Sequence, residues 1–270
     1  MDELDVKYQA LVDLLAGQGG ALVAFSGGVD STLLAKAARD ALGERAAAVT
    51  VVSAFVADGE RAEAERLAGD IGIRHYALPL DVLGVPRVAA NPPDRCYHCK
   101  RAILSGILAL AAELTIPYIC EGSNVDDESD YRAGARAIAE EPRVHSPLRE
   151  VGLRKAEIRA LSRRLGLRTA DKPSAACLAS RIPYGDTLTE EALRAVALAE
   201  EALAERGFTG ARVRKHGDLA RIELPPAQFA ALMEDDARRE IAERFKKFGF
   251  RYTALDLLGY RMGSLNEAIL

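Results

Sequence analysis

Apolar and polar positions alternate in two different ways along the first half of the chain. Short apolar runs predict strands at residues 21–25, 47–53, 75–80 and 118–120. Longer stretches with apolar residues on one helical face predict helices at residues 2–16, 32–42, 58–71 and 100–114. Alternating strands and helices are typical of an α/β fold, in which crossover helices join the strands of a parallel sheet.

The second half of the chain has a different pattern. Prolines interrupt residues 142–185, where we predict one helix at residues 155–165 that ends at Gly166. A helix at residues 189–206, a hairpin of residues 211–215 and 219–224, helical segments to Phe248 and a strand at residues 251–257 follow. We therefore predict two domains, a parallel-sheet domain at residues 1–184 and a small α+β domain at residues 185–270.

The composition is that of an ordinary globular protein. Apolar residues make up 49% and charged residues 28% of the 270 residues, and no apolar run is long enough to span a membrane. The first four residues, MDEL, lack the basic region and apolar run of a secretory signal, so we expect a cytoplasmic protein with reduced cysteines. The formal net charge of −4 argues against a surface dedicated to nucleic acid.

The turn after the first predicted strand has the composition of a phosphate-binding loop. Residues 26–31 have the sequence SGGVDS and lead into a predicted helix. Glycines let the backbone approach a polyanion, while serine hydroxyls and the N–H groups of the first helical turn can donate to it. A Walker-type loop would have Lys where this chain has Asp30, which disfavours a kinase or GTPase. The sequence therefore predicts a different kind of nucleotide-phosphate site.

A second polar loop, residues 122–127, follows the fourth predicted strand. Ligands of parallel sheets bind beyond the carboxyl ends of the strands, so we expect the two loops to face one crevice. The polar residues Ser123, Asn124, Asp126 and Asp127 could reach ribose, phosphate or Mg²⁺. Alternatively, they could form an Asx-rich turn that caps the next helix.

Cys96 and Cys99 form a C-x-x-C motif at the start of a predicted helix, and Cys177 lies in the proline-rich segment. A C-x-x-C motif alone is compatible with half of a zinc site, a redox dithiol, half of a cluster site or coincidence. The basic residues Arg95, Lys100 and Arg101 and the helix N-terminus favour thiolate. Thiolate is the form of cysteine that binds metal.

Two metal centres remain possible for these thiols. A structural zinc ion needs four protein ligands, and His98 or Cys120 could complete the set. An iron–sulfur cluster held by three cysteines would leave one iron open to an external ligand. Cys120 lies on a predicted buried strand, and we expect it to be a small core residue.

Several segments together resemble known families. The SGGVDS loop resembles that of the PP-loop ATP pyrophosphatases, which holds the pyrophosphate of ATP. KPS at residues 172–174, CLASRIPYG at 177–185, RVR at 212–214, LARIEL at 219–224, GFRY at 249–252 and LDL at 255–257 are similar to the LarE family of ATP-dependent sulfur transferases. The resemblance covers nearly the whole chain and implies a Rossmann-like PP-loop domain of the HUP type.

The resemblance implies a two-step reaction on a pyridinium-3,5-dicarboxylate mononucleotide, in the synthesis of the nickel-pincer nucleotide of lactate racemase. ATP, with Mg²⁺, would adenylylate a carboxylate and release pyrophosphate, and sulfur would then displace AMP. The residues that we predict to bind ATP or the nucleotide substrate are Ser26, Gly27, Gly28, Asp30, Ser31, Ser53, Ser123, Asp127, Lys172, Arg212 and Arg214. Arg212 and Arg214 are two residues apart on a predicted strand, so their side chains point to the same side. Two guanidinium groups placed in this way suit a phosphate.

Members of the family differ in the source of sulfur. Some give up the sulfur of one cysteine and have an aromatic residue and Ala where this chain has Cys96 and Cys99. Members with the C-x-x-C pair and a distal cysteine resemble enzymes in which three cysteines hold a 4Fe-4S cluster, whose open iron carries hydrosulfide. We therefore predict Cys96, Cys99 and Cys177 as cluster ligands, with a sacrificial Cys177 as the second hypothesis.

The resemblance also assigns catalytic roles to four residues, Cys177, Ser180, Arg181 and Glu200. Ser180 and Arg181 would lie beside the acyl adenylate, where Arg181 would stabilise negative charge, and Glu200 would lie near the reaction centre. An acidic residue that some members carry after the hairpin is Ala231 here, which leaves a further metal site without support.

The expected partners are the small-molecule nucleotide, hydrosulfide or another sulfur donor, and further copies of the chain in a homo-oligomer, with no membrane. Two alternatives remain. An iron–sulfur tRNA thiolase of the PP-loop superfamily would need a basic surface for RNA, which the acidic composition disfavours. A nucleotide-binding protein with structural zinc would contain neither iron nor acid-labile sulfide.

Overall fold

The chain consists of two compact units. The first contains Met1–Val85 and Asp94–Ala175, and the second contains Pro86–Pro93 and Ala176–Leu270. The computed structural model describes residues 2–129, 133–173 and 176–261. Within these ranges no helix is long and apolar enough to cross a membrane. The domain boundary predicted after residue 184 stays a prediction.

Helices and strands are numbered along the whole chain. The helices are α1 (Glu3–Ala16), α2 (Val29–Leu42), α3 (Asp58–Ile71), α4 (Pro86–Ala89), α5 (Arg95–Glu113), α6 (Ala133–Ala139), α7 (Pro147–Glu150), α8 (Lys155–Arg164), α9 (Glu190–Glu205), α10 (Phe229–Met233) and α11 (Asp235–Lys247). The strands are β1 (Ala21–Ala24), β2 (Ala46–Val52), β3 (Arg74–Pro79), β4 (Tyr118–Cys120), β5 (Val144–His145), β6 (Arg212–His216), β7 (Leu219–Glu223) and β8 (Tyr252–Leu255).

Parallel strands form the sheet of the first unit, in the order β3-β2-β1-β4-β5. The chain builds outward from β1 to β3 and then returns to the other side of β1 to form β4 and β5. The strand order therefore reverses between β1 and β4, and the loops that follow these two strands open at the same edge. The predicted α/β fold with a parallel sheet is confirmed.

The two faces of this sheet pack against different helices. On β1, Val23 contacts a core that includes Leu11 of α1, Leu34 of α2 and Ile158 of α8. The next residue toward the N-terminus, Leu22, belongs to the core on the opposite face, which includes residues of α5. This alternation follows from the period of two along a strand and produces a sheet covered on both faces.

The second unit contains a smaller sheet in the order β6-β7-β8. β6 and β7 form an antiparallel hairpin, whereas β8 pairs with β7 in parallel. Helix α9 packs on β6, and α11 packs on both α9 and β8. The buried Phe245 of α11 lies with its ring centroid 5.8 Å from that of Phe250.

Two helices begin earlier than the sequence pattern predicts. α2 begins at Val29 rather than residue 32, so Asp30 and Ser31 belong to its first turn. α5 begins at Arg95 rather than residue 100, so the C-x-x-C motif lies within the helix. In both places the first helical turn lacks the apolar periodicity on which the prediction depends.

Candidate functional site

The SGGVDS loop joins β1 to α2 and folds around its own serines. The Oγ atoms of Ser26 and Ser31 lie 3.1 Å apart, and the Gly28 N–H donates to Ser26 Oγ at 3.3 Å. Gly27 has a φ of 67°, in the left-handed region that favours glycine. Gly28 is the N-cap residue of α2 and makes no side-chain capping bond, an arrangement that suits an anion at the helix N-terminus.

Asp30 connects this loop to two other segments. Its Oδ1 accepts a hydrogen bond from Asn124 Nδ2 at 3.3 Å, and its Oδ2 accepts one from the ammonium of Lys155. The end of β4 also approaches closely, since a Cβ on Gly122 would lie 3.1 Å from the backbone N of Ser31. The predicted convergence of the two polar loops is therefore confirmed.

Lys172 contacts the phosphate loop from the segment that follows α8. Its Nζ donates to the backbone O of Gly27 at 3.0 Å and to Glu63 Oε2 at 2.7 Å. Arg159 of α8 donates to two backbone carbonyls of the same segment, at 2.6 and 2.9 Å, and so holds it in place. Lys172 thus lies at the loop, as its predicted role requires. Ser174 of the same motif lies outside the described residues.

Other residues predicted for the ATP site make local hydrogen bonds. The N–H and Oγ of Ser123 donate to Glu121 at 3.2 and 2.8 Å. Asp127 accepts from the backbone N of Asn124 at 3.0 Å, and Ser53 Oγ accepts from a backbone N two residues further on at 3.4 Å. Their roles in binding ATP stay predictions.

Asp126 has a structural role that the sequence left open. Its Oδ2 accepts from the backbone N of Lys155 at 2.8 Å, and its Oδ1 accepts from Arg154 Nη1 at 2.9 Å. This carboxylate therefore caps the N-terminus of α8. The helix that Asp126 caps is thus not the next one along the chain. Asn124 contacts the phosphate loop and also forms an Asx turn, since its Oδ1 accepts from the backbone N of Asp126 at 2.9 Å.

Cys96 and Cys99 lie three residues apart in α5, on one side of the helix. Cys96 is exposed and Cys99 is partly exposed, and the structure contains both as thiols rather than as a disulfide. Arg95, which is only 4% exposed, donates through Nη2 to Cys96 Sγ at 3.7 Å. Cys177 belongs to the second unit, and its thiol is exposed and not part of a disulfide.

Metal binding by these thiols stays a prediction. Among the described residues, no group of three or more His, Cys, Asp and Glu side chains is arranged to hold a metal ion. Cys120 is fully buried in the core, and burial raises the pKa of its thiol well above the ordinary value. Its predicted assignment as a core residue is confirmed.

In the second unit, Arg181 binds the backbone that carries Cys177. Its Nη1 donates to the carbonyl oxygens of Ala176 and Cys177 at 2.8 and 3.2 Å and to Ser180 Oγ at 2.9 Å. Its Nε and Nη2 donate to the two carboxylate oxygens of Glu200, at 2.9 and 3.1 Å. Because Arg181 is only 3% exposed, this geometry fits a positioning role toward Cys177. The predicted catalytic roles of Arg181, Ser180 and Glu200 stay predictions.

The two arginines of β6 have different surroundings. Arg214 is 6% exposed, and its Nε and Nη2 donate to Glu223 Oε2 at 3.0 and 2.7 Å. Arg212 is more exposed, with its Nη1 at 3.9 Å from Glu200 Oε2 and its guanidinium 5.8 Å from the ring centroid of Tyr260. Phosphate binding by the pair stays a prediction, and Arg212 is the better placed of the two to reach a ligand.

Comparison with known proteins assigns the chain to a family. No protein-family model matches it. The pyridinium-3,5-bisthiocarboxylic acid mononucleotide synthase of Lactiplantibacillus plantarum is 37% identical over 100% of this chain and 97% of its own length. The chain belongs to the LarE family. An uncharacterised protein of Synechocystis is 42% identical over 98% of this chain and 99% of its own length.

A more distant similarity indicates the superfamily to which the chain belongs. The tRNA-specific 2-thiouridylase MnmA of Xanthobacter autotrophicus is 30% identical over 61% of this chain and 51% of its own length. The chain belongs to the PP-loop superfamily, in agreement with its parallel sheet and its SGGVDS loop. The similarity to MnmA covers a part of each chain, whereas that to the synthase covers both almost completely.

The structure adds residues to the site that sequence reasoning missed. Lys155 is 125 residues from Asp30 in the chain, and Glu63 is 109 residues from Lys172. Arg159 holds the segment of Lys172 through backbone carbonyls, which leave no trace in a sequence pattern. The sequence contained one signal for Lys155. A lysine in the first turn of a helix is unfavourable to the helix dipole, which indicates that its charge is needed elsewhere.

Proposed function

We propose that this chain is an ATP-dependent sulfur transferase that converts a carboxylate of a pyridinium-3,5-dicarboxylate mononucleotide into a thiocarboxylate. The main support is the 37% sequence identity with the Lactiplantibacillus plantarum synthase, which extends over 100% of this chain and 97% of that protein. The phosphate loop, which contains Asp30 and is contacted by Lys172, supports the use of ATP. The enzyme would work as a homo-oligomer in the cytoplasm, where its thiols stay reduced.

The first step activates the carboxylate. A carboxylate oxygen of the substrate attacks the α-phosphorus of ATP, and the bond from that phosphorus to the bridging oxygen breaks, so that pyrophosphate leaves with the electron pair. The N-terminus of α2 and the ammonium of Lys172 would stabilise the negative charge of the leaving group. The resulting acyl adenylate has AMP as a good leaving group.

In the second step, hydrosulfide attacks the acyl carbon, the bond from that carbon to the AMP oxygen breaks, and AMP leaves with the electron pair. The S–H proton passes to solvent, which leaves the thiocarboxylate. Cys96, Cys99 and Cys177 would hold a 4Fe-4S cluster, and thiols that are exposed or partly exposed and not joined in disulfides fit it chemically. When bound, the cluster would supply the sulfur atom. Arg181 would fix the backbone of Cys177, and Arg212 would bind the phosphate of the substrate.

The decisive experiment combines metal analysis with mass spectrometry. Protein prepared without oxygen is incubated with ATP, Mg²⁺, the dicarboxylate mononucleotide and sulfide, and pyrophosphate, AMP and thiocarboxylate are measured. We expect iron and acid-labile sulfide in the starting protein and an unchanged polypeptide mass after several turnovers. A loss of one sulfur per chain, located at Cys177 by peptide mapping, would identify that residue as a sacrificial donor. ATP consumption without any thiocarboxylate would overturn the proposed reaction.

The similarity to MnmA is the observation that favours a second candidate, a tRNA thiolase. Such an enzyme must bind the phosphates of RNA, and its affinity falls as salt rises. With a net charge of −4, this chain is expected to show no salt-dependent binding of tRNA. Tight, salt-dependent binding together with formation of thiouridine would favour the thiolase instead.

A further inference from the structure

Asn91 is a buried polar residue with an unusual backbone conformation. It is 0% exposed, and its φ of 52° lies in the left-handed region. Among the described residues other than glycine, Thr115 alone shares this property. The left-handed conformation costs energy for a residue with a Cβ, less for Asn than for most others, and it persists where surrounding contacts hold it. The contacts of Asn91 must therefore outweigh this cost.

These contacts fasten Asn91 to the segment that follows Cys177. Its Nδ2 donates to the carbonyl oxygens of Ile182 and Pro183, at 3.4 and 2.7 Å. Its own carbonyl oxygen accepts from the Gly185 N–H at 2.9 Å. Asn91 and these three residues all belong to the second unit. One residue from the first half of the chain thus supplies donors and an acceptor to residues 182–185.

The bonds of Asn91 end beside the arginine that holds Cys177. Arg181 directly precedes Ile182, and its Nη1 donates to the carbonyl oxygen of Cys177 at 3.2 Å. The Ser180 N–H donates to the same oxygen at 2.9 Å. A displacement of Ile182 would therefore move both the guanidinium and the turn that fix the backbone of Cys177.

The segment of Asn91 also leads directly into the helix of the C-x-x-C motif. Two prolines follow Asn91, and α5 begins at Arg95. Proline has a fixed φ and so allows the chain few paths. At Asn91, the chain that continues to the C-x-x-C motif is thus bound to the chain that carries Cys177.

We propose that Asn91 is a positioning residue for sulfur transfer, a role that rests on the proposed function. It acts through Ile182 and Arg181, and it holds Cys177 where delivery of sulfur to the acyl adenylate needs it. When Cys177 is displaced, water attacks the acyl carbon instead. The bond from that carbon to the AMP oxygen then breaks, AMP leaves with the electron pair, a proton of the water passes to solvent, and the carboxylate is formed again.

The first test measures local order and needs no substrate. Amide hydrogen exchange at Ser180 and Ile182 is compared in the wild type, Asn91→Gly and Asn91→Asp. Gly adopts the positive φ without a side chain, whereas the Asp carboxylate cannot donate to a carbonyl oxygen. Loss of the side-chain bonds should speed the exchange about fivefold in Asn91→Gly, and Asn91→Asp should show the same direction. Exchange in Asn91→Gly as slow as in the wild type would overturn the proposal.

The second test separates positioning from stability. The ratio of thiocarboxylate to pyrophosphate is measured without oxygen, and unfolded molecules do not change it because they form neither product. We expect Asn91→Gly to lower this ratio about fivefold, because water replaces sulfur at the acyl carbon. A less stable Asn91→Gly with the wild-type ratio would show a purely structural role and overturn the proposal.

Gln228→Ala is the matched control for the ratio. Gln228 Nε2 donates to the carbonyl oxygen of Thr209 at 3.0 Å, so this variant also loses a side-chain bond to the backbone in the second unit. It should keep the wild-type ratio of thiocarboxylate to pyrophosphate. The same fall in both variants would contradict a specific role for Asn91.

Failure of this proposal is distinguishable from failure of the proposed function. Hydrogen exchange requires neither ATP nor sulfur. A wild type that releases pyrophosphate but forms no thiocarboxylate would refute the proposed reaction, and exchange at Ser180 and Ile182 would then decide by itself whether Asn91 positions the Cys177 segment. A wild type that forms thiocarboxylate, with an unchanged ratio in Asn91→Gly, would refute only the role of Asn91.

Discussion

At the scale of single residues, Arg181 shows how a charged side chain can be buried at low cost. Its guanidinium donates hydrogen bonds to both carboxylate oxygens of Glu200 and to the backbone carbonyls of Ala176 and Cys177. Breaking such a pair by removing one partner leaves an uncompensated charge in the interior, which destabilises the fold far more than loss of a surface pair.

We therefore expect Glu200→Gln to lower the free energy of unfolding by about 3 kcal/mol, because the buried Arg181 keeps its charge but loses its counterion. Denaturant unfolding measures this change apart from any effect on catalysis. Glu205→Gln is the control on the same helix, where the exposed pair with Arg244 should contribute about 0–1 kcal/mol. Equal effects of the two substitutions would contradict a supporting role for the Arg181–Glu200 pair.

The four cysteines should separate into three that bind iron and one that packs. Ala substitution of Cys96, Cys99 or Cys177 is expected to abolish iron binding and multiple turnover, because each removes one of the proposed cluster ligands. Cys120→Ala should keep both and cost about 1 kcal/mol of stability, because it removes one small buried group from the core. Iron and acid-labile sulfide are quantified in all four variants, and equal losses would break the assignment.

At the scale of elements, the contact between the end of β4 and the first turn of α2 joins the two halves of the parallel sheet. An added Cβ on Gly122 would lie 3.1 Å from the backbone N of Ser31 and 3.2 Å from Asp30 Cβ. Both neighbours belong to the start of a helix, so they cannot move away as a flexible side chain could.

We expect Gly122→Ala to weaken binding of α,β-methylene-ATP by about tenfold, because a displaced helix start misplaces the donors for phosphate. Gly69→Ala is the control, since Gly69 lies in α3 with open space around its Cβ position. That change should leave binding unaffected and stabilise the fold by about 0.5–1 kcal/mol. Unchanged affinity in Gly122→Ala would show that the two loops are not mechanically coupled.

The sequence predicted elements where a periodic pattern was present. Strand β4 at Tyr118–Cys120 and helix α3 at Asp58–Ile71 match their predicted bounds, the latter ended by Gly72 in the left-handed conformation. The two-residue strand β5 was missed, because two residues cannot show alternation.

The sequence predicted the segments of the candidate site that contain a motif, but not the contacts between those segments. The loop containing Asp30 and the segment containing Lys172 each carry a recognisable local sequence. Contacts between segments carry none, and so Lys155 on Asp30 and Glu63 on Lys172 emerge only from the fold. The charge balance of the site is consequently a property of the tertiary structure.

At the scale of the whole molecule, each unit contains one partly buried histidine with an altered pKa. In the first unit, burial lowers the pKa of His75, whose Nε2 lies 2.8 Å from Thr50 Oγ1. In the second unit, burial and then the charge of Arg221 lower the pKa of His216. Both folded units therefore favour the neutral form of their histidine.

This predicts a common acid dependence of stability. The unfolded chain takes up these protons near pH 6.5, before the folded chain does, so stability is complete above that pH and falls as the pH drops toward the lowered folded values. We expect urea unfolding to show lower stability at pH 5.5 than at pH 7.5. His75→Gln and His216→Gln should each flatten this dependence, and the double variant should flatten it most. A double variant with the pH dependence of the wild type would show that other groups cause it.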